Sequence, residues 1–191
     1  ILEVAYEIQG AGSIMIGSQQ IVYKDGFPYD DILGELADNP ETTTENLART
    51  VVNAFGDYYD NPALNRREQC LSALRLDRVG AAATAVGRLA ESLRGILPDP
   101  GLRSTMESLR YDAEDFTALQ SRYTDLISLA GLVQTRLGLD TSGINEAVMS
   151  AVIHNYSGPK HPDAHGLSIY YPRTRNLYEA NPFYQDYDPV S

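Results

Sequence analysis

Two short apolar runs, Ser13-Ile14-Met15-Ile16-Gly17 and Gly166-Leu167-Ser168-Ile169-Tyr170-Tyr171-Pro172, constrain the fold of this 191-residue chain more than any other feature. Each is bounded by Gly or Pro and is too short for a helix. The first has no polar alternation, which is the pattern of a strand covered on both faces, as in a parallel sheet. Two isolated strands of this kind cannot satisfy their own backbone N–H and C=O groups. The sequence therefore predicts a sheet completed by other segments. Ahead of the first run, Ile1, Leu2, Ala5 and Ile8 share one helical face that is already under way at residue 1, with no capping residue before it. A helix leading into a strand is half of a βαβ unit, so the strand before it is expected upstream of Ile1.

Most of the remaining chain carries helical spacing. Pro28 opens a stripe of Ile32, Leu33, Leu36 and Ala37. Thr42-Thr43-Thr44-Glu45 has the form of a capping box, with Thr42 as N-cap, ahead of Leu47, Val51, Ala54, Phe55 and Tyr58. A long Ala- and Leu-rich helix is expected from about Leu76 to Leu97, ended by Pro98-Asp99-Pro100-Gly101. Further stripes follow: Leu102, Met106 and Leu109; Phe116, Leu119 and Tyr123; Leu126, Leu129, Leu132 and Val133; and Ile144 to Val152, running towards His154. Asn155 to His165 reads as a loop. The tail, with Tyr178, Phe183, Tyr184 and Tyr187, is expected to pack its aromatic rings on its own domain.

The net charge of −11, from 26 acidic and 15 basic residues, argues against nucleic acid, whose binding rests on phosphate neutralisation. A basic peptide partner and a merely soluble surface both remain compatible with it. No apolar stretch approaches the ~20 residues of a membrane span, so no membrane partner is expected. Cys70 is the single cysteine. It has no Gly-rich turn and no adjacent His, and it reads as a packing residue. His161-Pro162-Asp163-Ala164-His165 has H-x3-H spacing, but it lies in a Pro-containing loop without cysteine. No metal site and no cofactor are expected from it.

In order along the chain, five segments carry a further signal. They are Leu2-Glu3-Val4-Ala5-Tyr6-Glu7; Gly17-Ser18-Gln19-Gln20 with Asp25-Gly26-Phe27-Pro28-Tyr29; Leu71-Ser72-Ala73-Leu74-Arg75-Leu76; Tyr111-Asp112-Ala113-Glu114-Asp115-Phe116; and Gly166 to Pro172. Together, over about residues 1–185, the chain resembles the clostripain family of cysteine peptidases. It departs from the family pattern at Gln19 and Gln20, where acids are usual, and at Arg75, in place of an Asp.

The resemblance implies an α/β, caspase-like three-layer α/β/α sandwich, represented by its C-terminal strands and helices, with a helical appendage. Residues 1–75 would form the second half of the α/β domain and 76–155 the appendage. Residues 156–191 would form a final strand returning to the sheet and a surface tail. It implies an endopeptidase that cleaves after Arg or Lys through a thioester. The catalytic Cys and His would lie on an upstream fragment of the same protein, its essential partner beside the peptide substrate, so no residue of this chain is assigned a catalytic role. Specificity for a basic residue needs a carboxylate at the pocket, since an unpaired buried guanidinium is costly. Asp25 is the candidate, although an Asp-Gly turn explains it equally. Ser18, at a strand end, is a second substrate-binding candidate. The lost acids also allow a catalytically inactive scaffold acting as a protein-binding module. A third possibility is an independent helical interaction domain.

Overall fold

The computed structural model describes residues 1–64, 68–116 and 122–179. Its strands are β1 (Ile14–Gly17), β2 (Cys70–Arg75), β3 (Tyr123–Asp125), β4 (Val152–Ser157) and β5 (Ser168–Tyr170). Its helices are α1 (Leu2–Glu7), α2 (Tyr29–Asp38), α3 (Thr44–Tyr59), α4 (Val79–Ile96), α5 (Pro100–Asp112), α6 (Leu126–Leu137), α7 (Ser142–Ala151) and α8 (Arg175–Glu179).

β2 is the central strand of a sheet ordered β1-β2-β4, and both pairings are antiparallel. The parallel character expected of Ile14–Gly17 is not found in this pairing. The apolar run instead reflects cover on both faces. Met15 packs with the helices on one side, whereas Ile14 and Ile16 join the cluster on the other. The same alternation runs along β2, where Leu71 and Ala73 face one cluster and Leu74 the other, as the two-residue period of a strand requires. Helix α3 covers the first face with Ala48, Val52, Phe55 and Tyr59. Helices α1, α4, α5, α6 and α7 cover the second through one continuous apolar cluster that includes Leu2, Ala5, Val79, Leu109, Leu129 and Val148. The three-layer α/β/α arrangement is thus present.

Several local expectations are corrected. The N-cap of α3 is Thr43, whose side chain accepts from Asn46 N at 3.2 Å, and not Thr42. Glu45 does not reach back to close a capping box, because Arg75 holds it by Nε–Oε1 and Nη2–Oε2 contacts, both 2.8 Å. The stripe ending at Tyr123 is not helical there: Tyr123 begins β3, antiparallel to β5. Leu119 lies outside the described residues, as do Phe183, Tyr184 and Tyr187. The stretch from Val152 onward leaves the helix and forms β4, extending to Ser157. The late strand β5 pairs with β3 in a separate two-stranded ribbon.

Gly56 of α3 shows how closely this helix lies on the sheet. A Cβ there would stand 2.7 Å from Cδ2 of Tyr156. That ring is anchored by its hydroxyl, which donates to Asp60 at 2.7 Å, and by edge contact with Phe55. In α4, by contrast, a Cβ on Gly87 would meet nothing within 4 Å. Gly87→Ala should therefore stabilise the protein by up to ~1 kcal/mol through helix propensity. Gly56→Ala should destabilise it by ~1–3 kcal/mol through overpacking. Urea denaturation midpoints of the two variants, displaced in opposite directions, check this.

Candidate functional site

The register places Gly17 opposite Ser72 and Cys70 opposite Ser157. The end of β1, the start of β2 and the end of β4 therefore meet at one end of the sheet, with the loops 18–28 and 158–167. A cleft of about 230 Å³ opens here. Glu3 and Val4 of α1 form one wall, Gly17, Ser18 and Gln19 another, and Tyr123 and Ser168 of the ribbon a third. Larger grooves lie between α4 and α7, beside α5, and at the opposite end of the sheet around Ile14, Glu45 and Arg75; of these only the last touches the three-stranded sheet.

Beneath the cleft lies a buried polar network. The Asp125 side chain is 0% exposed and accepts from four donors. Gln19 Nε2 donates to its Oδ2 at 2.9 Å and the His165 backbone N–H at 2.7 Å. Ser128 N donates to its Oδ1 at 2.9 Å, capping α6, and His165 Nδ1 lies 3.0 Å from the same oxygen. The Gln19 carbonyl in turn accepts from Gly166 N at 2.9 Å. Gly166 has φ +100°, and a Cβ on it would meet Ser72 Oγ at 3.0 Å. Only glycine suits this left-handed position.

A second arm runs from Gln20. Its Nε2 lies 3.2 Å from His161 Nε2, and His161 Nδ1 lies 2.8 Å from Glu114 Oε1. The amide donates to Nε2, so the network assigns the ring proton to Nδ1, where it donates to the carboxylate. His161 and His165 thus engage two different carboxylates. Among the described residues no three His, Cys, Asp or Glu side chains converge on a metal-sized point.

Cys70 packs with Phe116 and Ala164 and is 0% exposed. Burial, reinforced by the charges of Glu114 and Asp125, pushes its thiol up to about 12. It carries essentially no thiolate at neutral pH and is unsuited to attack a carbonyl. His154 is on β4, with Nε2 2.6 Å from Asn53 Oδ1, and partial burial lowers its pKa.

The two substrate-binding candidates are placed differently. Ser18 lines the cleft, and its Oγ also accepts from Gln20 N at 3.0 Å, closing a local turn. Asp25 is exposed on the far part of the same loop and is not in the cleft wall. That loop is anchored beside it by the Tyr59 hydroxyl, which donates to Gly26 O at 2.9 Å. The sequence does not single out Gln19, Asp125 and His165 as site residues. Asp125 before an apolar helical run is a legible N-cap signal, but its bonds to Gln19 and His165 span 106 and 40 residues and leave no local trace.

The Asp125 hydrogen bond raises the His165 pKa above the usual 6.5, against partial desolvation. A raised folded-state value means that the pair stabilises the protein fully below the unfolded value and loses that contribution as pH rises through the folded one. The stability gap between wild type and His165→Gln should therefore be widest near pH 6 and narrow towards pH 9. Urea titrations across that range check the sign.

A sequence model of the clostripain family, Peptidase_C11, matches residues 1–189. No curated protein matches significantly. Among solved structures, a B. fragilis cysteine protease is similar at TM-score 0.64 and 19% identity, covering 97% of this chain and 78% of that one. An inactive zymogen C11 protease from Parabacteroides distasonis is similar at TM-score 0.64 and 20% identity, covering 97% of this chain and 53% of that one. A clostripain from Bacteroides thetaiotaomicron, in complex with the peptide inhibitor BTN-VLTK-AOMK, gives TM-score 0.57 at 15% identity over 96% of this chain and 80% of that one. The chain thus spans about half to four-fifths of these relatives, and it shares the caspase-like fold of the C11 proteases.

Proposed function

Because the chain belongs to the clostripain family, we propose that it is the C-terminal portion of a cysteine endopeptidase cleaving after Arg or Lys, with the nucleophilic Cys and the His on the segment preceding Ile1. The observation that carries this reading is the position of the cleft. It lies between the start of α1 and the end of β1, where a strand leading into α1 would deliver its last residues. Such a strand, joined to β1 through α1, would run parallel to it by the right-handed crossover rule. The edge of β1 away from β2 has no strand partner among the described residues.

The chemistry follows from what the cleft lacks and offers. Peptide-bond cleavage through a thioester needs a thiolate, a His to protonate the leaving amine, and donors for the oxyanion. Cys70, held near 12 and buried, is unsuited to supply the thiolate, which supports an attacking sulfur on another segment. This chain would supply walls and recognition: Ser18 in the cleft, and Asp25 as an exposed carboxylate on the adjoining loop for a basic side chain. In the related clostripain, the peptide part of the bound inhibitor, VLTK, ends in lysine, which supports a basic specificity.

The substitutions that motivate an inactive scaffold have local explanations. Gln19 and Gln20 are satisfied within the buried network. Arg75 lies at the opposite end of the sheet, paired with Glu45.

A fluorogenic peptide panel on the full-length protein tests the reading. Cleavage after Arg and Lys, abolished by a thiol-alkylating reagent and retained in Cys70→Ala, is expected. No cleavage of any peptide, or loss of activity on removing the Cys70 thiol from a folded protein, would contradict it. Asp25→Ala should reduce kcat/KM on Arg peptides by about tenfold, near 1.4 kcal/mol, since an exposed carboxylate is partly screened. Neutral peptides should be unaffected.

A further inference from the structure

We propose that Gln19 and Asp125 form a positioning pair that holds one wall of the substrate cleft, with Asp125 acting through the Gln19 amide; this rests on the reading of that cleft as the peptide site. Strand pairing ends at Gly17, opposite Ser72. Beyond it, Ser18 and Gln19 reach the cleft without a β ladder to fix them. Their place is set by side chains. The Gln19 amide spans from Asp125 to Gly166, and the Gln20 amide spans from His161 to its neighbour Ile21 N.

The Gln19 site requires one donor and one acceptor at once. Nε2 must give a proton to Asp125 Oδ2, and Oε1 must receive one from Gly166 N. An amide of this length does both, whereas a carboxylate offers acceptors alone. At 1% exposure for Gln19 and 0% for Asp125, a Glu at position 19 would set two carboxylates against each other without water between them. They would then share a proton or move apart. Moving apart would displace Ser18 and the residue after it from the cleft wall.

Asp125 is itself held by Ser128 N from α6 and by the His165 backbone from the loop before β5. The same carboxylate thus ties the Ser18–Gln19 wall to His165 in the loop before β5, and the Asp125 backbone pairs in register with Ser168 on the ribbon side of the cleft. The titratable groups facing the pair are His165 on Asp125, the Cys70 thiol, Glu114 and His161 through Gln20, and the Ile1 amino group, Glu3 and Tyr123 around the cleft.

The test is the pH dependence of peptide cleavage by the full-length protein as wild type, Gln19→Glu, Asp125→Asn and the double variant. Each is assayed well below its melting temperature, with folding verified by circular dichroism. The ratio of wild-type to Gln19→Glu kcat/KM should exceed about thirtyfold at pH 8 and shrink steadily towards acid pH, as two adjacent carboxylates come to share a proton. KM should carry most of the loss. The double variant should lose less than the product of the two single losses, because the amide introduced at position 125 can donate to the carboxylate introduced at position 19. A ratio that stays constant with pH, or strictly multiplicative losses, would overturn the positioning role. A wild type that cleaves no peptide overturns the functional reading instead, and the two failures are distinct.

Discussion

The buried carboxylate of Asp125 is the constraint on which the site depends. A charge taken out of water is costly unless several donors replace the lost hydration. Here Gln19, Ser128 and both the backbone and ring of His165 surround it. Those donors come from the loop after β1, the first turn of α6 and the loop before β5. One side chain thereby fixes three segments that are far apart in sequence. Two walls of the cleft above, Ser18–Gln19 and Tyr123 with Ser168, adjoin these segments, and α1 forms the third.

The sheet supplies the platform. A single central strand, β2, is buried on both faces and carries one helix layer on each side. Antiparallel pairing brings the end of β1, the start of β2 and the end of β4 to one level. Polar chemistry collects there because the loops leaving the sheet carry the side chains that apolar faces exclude. At the opposite end a wider groove is lined by the Arg75–Glu45 pair. Arg75 holds the Glu45 carboxyl below the usual range, and the cleft lies at the other end of the strands.

Much of the helical frame is legible in the sequence, because amphipathic stripes repeat within a few residues. The runs around Val86, Leu129 and Ile144 form α4, α6 and α7. Strands β2 and β4 are not legible. Cys70–Arg75 contains no β-branched residue, and Val152 continues the helical stripe of α7 until the backbone extends. Their identity as strands is set by pairing across many residues, a tertiary effect that local propensity does not encode. At the site, Ser18 reads as a strand end, and it directly follows Gly17, the last residue of β1. The roles of Gln19, Gln20, His161 and His165 depend on partners 40 to 147 residues away, and so need the folded chain. The departures Gln19 and Gln20, which read from sequence as lost acids, have a physical reason in it: each amide bridges a donor and an acceptor.

The chain has the caspase-like fold of the clostripain family and a buried cysteine, and the proposed function takes its cleft as the place where a preceding strand would deliver a reactive one. The most direct measurement is a crystal structure of the full-length protein with a thiol-reactive peptide ending in lysine. The account predicts the peptide seated between α1 and Gly17–Gln19, bonded to a sulfur outside residues 1–191. A peptide bonded to Cys70, or seated away from this cleft, would contradict it.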